Sequence, residues 1–453
     1  MNKALIAAVL LTGFGAAGTC LAAERETAVT VYNNDLALVR DKRKLVLKQG
    51  LGELRYADVA AQIDPTSVHL KSLTAPEKVA VLEQNFEYDL ISSDKILQKY
   101  LDEEIEVFGK EGKFFSGKLL SASNDIVLEK KDGGIQSVSK SMVQNVEFPK
   151  LPQGLITRPT LVWTMQADRG GDHDMELSYL TSGMGWHAEY VAVADKDDKK
   201  MDLSAWVSID NKSGAAYENA KLKLIAGDVN RAAPPQPRGA KVRATFALAQ
   251  DMAEQFQEKA FFEYHLYTMT RPATLKNNQI KQLTLFPTAT VNVKKIYEYE
   301  GLNDPKKVKV MMEFLNSKQE GLGLPLPAGK VRVYKQDSDK SQEFVGEDRL
   351  DHTPKDEKVR IYVGDAFDVA GERKEKENRS LGGRANQQTI EIKLRNHKDS
   401  DIEVVVTERF WSDWEITRQS QKFEKKDART AEFVVPVKKD GEATVEFTVV
   451  TRW

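Results

Sequence analysis

Residues 175–193 read MELSYLTSGMGWHAEYVAV. Met175, Leu177 and Tyr179 alternate with polar neighbours, small residues turn the chain, and the alternation resumes at Trp186. A repeat of two buries one side of a strand and leaves the other in water. The flanking runs 161–163, 203–209 and 220–225 show the same character and are separated by turn residues. That spacing predicts an antiparallel β-sandwich over residues 151–300.

The pattern extends in both directions. Downstream, residues 307–314, 330–334, 359–363, 389–394, 402–409, 431–437 and 443–451 read as the strands of an immunoglobulin-like sandwich over 301–453. The charged stretches 337–358 and 371–388 read as loops. Residues 232–239, with Pro234, Pro235 and Pro237, are predicted as a loop. Leu248, Met252 and Phe256 fall four apart and predict a helix over 247–259. Upstream, 24–88 reads as a β region. Within 89–150, Ser93 is placed as the cap of a short helix carrying Ile96, Leu97 and Tyr100. Five short strands over 104–148, with Gly117 inside one of them, predict a small SH3-like or Sm-like barrel insert. The fold class expected is all-β, mainly antiparallel, with few short helices.

Residues 1–23 have a basic start at Lys3, an apolar run and the small-residue exit Cys20-Leu21-Ala22-Ala23. This is the layout of a secretory signal peptide, so the protein is expected to be exported, periplasmic or secreted. The run is too short and glycine-rich for a membrane span, and no second one follows. A lipid anchor on Cys20 is the lesser reading, because Ala17-Gly18-Thr19 is a poor lipidation context. Cys20 is the chain's single cysteine. Cleavage after Ala22 or Ala23 leaves a cysteine-free chain that must fold by burial without disulfides. With 66 basic and 68 acidic residues, the charge is too balanced for nucleic acid or an anionic membrane.

A series of motifs runs through the second half in order: residues 178–190 (SYLTSGMGWHAEY), Asn211-Lys212-Ser213-Gly214, Glu218-Asn219-Ala220, Tyr264-His265-Leu266-Tyr267, Lys281-Gln282, residues 324–329 (LPLPAG) and Gly346-Glu347-Asp348. Together they resemble the bacterial domain of unknown function 4139 family, the mucoidy-inhibitor-A-like proteins, over about residues 160–453. The resemblance implies an exported or envelope β-rich protein. It implies no activity, cofactor or catalytic residue. Family members often carry a long helical coiled segment before the sandwich. The predicted barrel stands there instead.

Candidate chemistry is sparse. Asp172-His173-Asp174 offers two carboxylates and an imidazole to a cation, but needs further ligands. After Gly170-Gly171 it reads more simply as a hydrated turn. Glu263 and His265 share a strand face, as a base and its orienting carboxylate would; a polar pair facing solvent is the preferred reading. Trp411 and Trp414 flank Ser412-Asp413 and are the best candidates for an exposed glycan platform, whereas Trp186 and Trp206 read as core anchors. Ser137-Val138-Ser139-Lys140 matches S-x-x-K by chance, in a strand or turn where the chemistry needs a helix start. No cofactor is expected. The function expected is a non-enzymatic envelope protein binding another protein or a glycan, with oligomeric state open. The alternative is a cell-wall or polysaccharide hydrolase with paired carboxylates.

Overall fold

The alternation builds strands almost throughout the computed structural model, which describes residues 25–152, 154–227, 229–230, 256–261 and 264–453. Residues 1–24, the proline-rich segment 232–239 and residues 247–255 of the expected helix lie outside the described residues. The fold is mainly β, with one α-helix among the described residues, Ser93–Lys99. The chain divides into two compact units. One is Leu38–Thr181 with the chain up to Ala28; the other is Val29–Ala37 with Ser182–Trp453.

In the first unit, Thr160–Ala167 lies between Gly50–Ala57 and Val79–Glu87, antiparallel to both. Trp163 is buried there and its Nε1 donates to Gln84 Oε1 at 2.9 Å. The five strands expected over 104–148 are present as Glu104–Gly109, Phe114–Ser121, Ile126–Glu129, Ile135–Val138 and Val143–Glu147. They form one antiparallel sheet with Val143–Glu147 at one edge and Ile135–Val138 at the other. The two edges do not pair, so the expected barrel is an open sheet. Ile105, Val107, Leu119, Ile126 and Leu128 form its core, and Leu97 and Tyr100 of the helical segment cover it. The helix cap is Ser92, one residue earlier than expected, and accepts from the Lys95 amide.

Two sheets lie wholly within the second unit. One runs in the order Gln279–Asn292, Lys200–Asn211, Met184–Ala194, Gly329–Gln336, Gln342–Leu350. Its third and fourth strands are parallel, the other neighbours antiparallel. The 330–334 strand, expected in the C-terminal sandwich, belongs here. The other sheet has nine strands, and Tyr299, Val308, Ile390, Val404, Phe433 and Phe447 from across it share one core. A sheet that folds over on itself produces such a core and is sandwich-like.

Two segments expected to be loops are strands. Gln342–Leu350 pairs with Gly329–Gln336, and the 25-residue strand Lys358–Gly382 pairs first with Lys307–Leu315 and then, over Val369–Gly382, with Ala385–Asn396. Cross-strand charge explains the second. Lys376 bridges Glu391 and Glu446, Arg395 bonds Glu372, and Gln388 bonds Glu375. Alternating charges read as a solvated loop in one dimension and as paired rungs in two. The expected helix also ends differently: Phe256–Phe261 is a strand, antiparallel to Tyr264–Met269.

Gly329 begins the parallel strand where it meets Ala188. A Cβ there would sit 2.1 Å from the Ala188 carbonyl oxygen, which is backbone and cannot step aside. Gly329→Ala is therefore expected to cost about 3 kcal/mol by overpacking, read as a lower denaturation midpoint at unchanged slope.

Candidate functional site

The strand Tyr264–Met269 pairs with Phe256–Phe261 on one side and Tyr217–Ala226 on the other. His265 and Tyr267, two apart, share one face. Above that face stands the loop 324–329, whose backbone is tied at several points. Tyr190 Oη donates to Pro327 O at 2.7 Å, and Tyr267 Oη donates to Pro325 O at 3.3 Å. Asn316 Nδ2 donates to Leu324 O at 2.7 Å. Leu326 and Thr353 exchange both backbone hydrogen bonds at 2.9 Å. Full burial raises the Tyr190 hydroxyl well above its ordinary value, so it stays a donor.

Between strand and loop lies a cleft of about 120 Å³, lined by Ala226, Gly227, His265, Tyr267, 325–327 and 352–354. Sites for whole small molecules run about 300–1,000 Å³. A cleft of this size takes one side chain or one edge of a larger ligand. Among the described residues no carboxylate lines it.

Two imidazoles flank it. His265 Nδ1 and Glu258 Oε1 are 2.7 Å apart. An ionised carboxylate only accepts, so Nδ1 carries the hydrogen. The Ala328 amide donates to His352 Nδ1 at 3.1 Å, which puts that ring's hydrogen on Nε2. Thr353 Oγ1 donates to Asp351 O at 2.9 Å. The arrangement supplies polar edges to an otherwise apolar recess.

The residues expected from sequence fare unequally. His265 is at the cleft, while Glu263 lies outside the described residues; the carboxylate on His265 is Glu258, from the adjacent strand. His173 is 2% exposed. Its Nδ1 meets Ser72 Oγ at 3.0 Å and its Nε2 meets Arg169 O at 3.1 Å. Both ring nitrogens are thus engaged, and strand alternation turns Asp172 and Asp174 to the other side. The tripeptide opens the strand Gly171–Thr181 rather than forming a turn or a ligand set. Among the described residues no three His, Cys, Asp or Glu gather as metal ligands would. Ser137 lies in the strand Ile135–Val138 and Lys140 Nζ donates to Ser123 O.

The tryptophans divide against expectation. Trp411 is 81% exposed, but Trp414 is 5% exposed. Trp414 packs on Phe410 and Phe423 at 4.6 and 6.0 Å between ring centres, and its Nε1 donates to Ala428 O at 2.8 Å. Its own aromatic neighbours claim it for the core. Trp186 is buried as expected. Trp206 is not, at 41% exposed.

A model of a domain of unknown function, DUF4139, matches residues 175–453. The chain belongs to this family. No curated protein matches it. The DUF4139 match includes every residue lining the cleft. Three of the motifs that carry the resemblance meet there: His265 and Tyr267, the 324–329 loop, and Tyr190 beneath it. Glu258 and His352 were missed in sequence because they fall in an expected helix and an expected loop. Nothing local marks either; only the strand pairing brings them in.

A second polar group of DUF4139 residues lies on the outer face of the five-stranded sheet. Glu189 takes His187 Nε2 at 3.0 Å and Arg332 Nη1 at 2.5 Å. Partial burial would raise its carboxyl, but the His187 and Arg332 hydrogen bonds outweigh that and hold it below the usual value. Arg332 also faces Glu347, at 3.8 Å, and Lys330 approaches Glu347 at 3.4 Å.

Proposed function

We propose that this is an exported envelope protein whose DUF4139 unit binds a protein partner and converts nothing, one partner side chain entering the cleft beside His265 and His352. The cleft's lining carries the reading. It combines an aromatic ring, three prolines and two imidazole edges, at a size suited to a single side chain. A retaining or inverting hydrolase needs two carboxyl groups across its cleft, and the described residues of this lining include none. The motivation for export is the basic, apolar, small-residue order of residues 1–23. No helix among the described residues is long and apolar enough to cross a membrane.

Thr353→Arg tests the cleft. The backbone bonds to Leu326 do not use the side chain, so the loop keeps its frame while the recess fills. Wild-type protein incubated with the native envelope fraction is expected to retain a defined partner, and the variant about tenfold less. Equal retention by both removes the cleft from the function. Export is read from the mass of protein recovered from the periplasm or medium. Loss of residues 1–22 or 1–23 is the expected result, and an intact leader contradicts it.

A further inference from the structure

Trp206 occupies the second strand of the five-stranded sheet, with a strand paired on either side. Its neighbours along the chain, Ala205 and Val207, point into the core. The indole therefore points outward. Its cross-strand partners are Glu189 and Thr284, with His187 opposite Ser208 and Gln282 beyond. We propose that this face is a glycan-binding site, with one neutral pyranose ring stacked on Trp206 and its hydroxyls met by Glu189, Arg332 and Gln282.

Three observations choose the occupant. The indole presents a flat apolar surface open to water, which suits the C–H face of a pyranose. The carboxylate and guanidinium beside it are already held by one another and by His187, so they meet a ligand at little ordering cost. Lys330 and Arg332 balance Glu189 and Glu347, so these four described side chains carry no excess charge for a polyanion. A peptide added as an extra strand has no place here, because the backbone of these inner strands is already paired on both sides. The site is separate from the cleft: Tyr190, which supports the cleft loop, projects from the opposite face of the strand that carries Glu189. It does not depend on the protein-binding reading above.

The test titrates the full chain with a β-1,4-linked glucose tetramer and a β-1,4-linked N-acetylglucosamine tetramer, followed by calorimetry and saturation-transfer NMR. At least one is expected to bind with Kd of about 1 mM or tighter. Trp206→Ala should weaken binding about tenfold or more, Glu189→Gln should also weaken it, and Trp206→Phe should retain most of it. Thr353→Arg, which fills the cleft, should leave it unchanged, so this proposal and the protein-binding one fail separately. No binding of either oligomer at about 10 mM, or equal affinity in Trp206→Ala, overturns the proposal.

Discussion

Asn396→Ala is expected to lower the stability of the second unit by about 3 kcal/mol or more, although it changes one polar side chain. Asn396 is fully buried at the end of Ala385–Asn396. Its Nδ2 donates to Ser400 O at 2.9 Å, Lys438 O at 3.0 Å and Val437 O at 3.4 Å, and its Oδ1 accepts from the Lys398 amide at 3.0 Å. Alanine removes all four of these bonds at a buried position, although Lys438 O keeps the Gly441 amide. Each buried group left unpaired costs about 1–3 kcal/mol. At about 2 °C or more per kcal/mol, the midpoint of thermal unfolding should fall by at least about 6 °C. Asn396→Asp should do no better, because a carboxylate would face three carbonyl oxygens. A fall under about 2 °C for alanine would show that the amide is not what closes this loop.

The same device recurs. Asn211 ends Lys200–Asn211 and donates to Ala215 O, Lys276 O and Leu275 O. Asn316 follows Lys307–Leu315 and donates to Leu324 O and Pro354 O, while its Oδ1 takes the Gly323 amide. Each buried amide fastens the crossing that follows its strand. At Asn316 the crossing is the one that forms the cleft, so a stability device and the proposed function share a residue.

Arg373→Ala is the second large effect, about 3–5 kcal/mol at neutral pH. The Glu408 side chain is 0% exposed, and Arg373 grips it with Nε at 2.9 Å and Nη2 at 3.1 Å. Burial pushes the Glu408 carboxyl above its ordinary value, and Arg373 pulls the other way. Removing the guanidinium removes the opposing pull and leaves burial alone. An acid whose folded pKa lies above its unfolded one costs nothing when protonated in both states. The cost appears as pH rises from the ordinary carboxylate range through the raised value. The deficit of Arg373→Ala relative to wild type should therefore be small in acid and grow toward neutrality. Denaturation at several pH values reads this directly, and a deficit independent of pH would contradict it. The double variant Arg373→Met, Glu408→Leu should recover much of the loss, since neither charge is then buried alone.

The strands were legible because burial on one face writes itself into the order of residues. The 175–193 stretch became most of the two strands Gly171–Thr181 and Met184–Ala194, and the short strands of 104–148 came out in order. Closure was not legible: whether Val143–Glu147 meets Ile135–Val138 depends on curvature, which alternation does not encode. Hairpins that extend beyond a core were hidden for a related reason. Residues 372–377 alternate in charge instead of hydrophobicity, and only the facing strand shows that the charges are rungs. Trp206 and Trp414 exchanged places because a tryptophan's spacing gives its face but not what covers that face. Phe410, Phe423 and Lys425 cover Trp414. The cleft was half legible, since His265 was singled out from its strand face while its partner came from the next strand.

The central claim is that the recess under the 324–329 loop receives a partner's side chain. A photoreactive residue placed at Thr353 and irradiated in intact cells tests it most directly. The account predicts one discrete covalent adduct, absent when the same residue is placed at Lys221 on an outward strand position of the same unit. No adduct from position 353, or the same adduct from both positions, would contradict it.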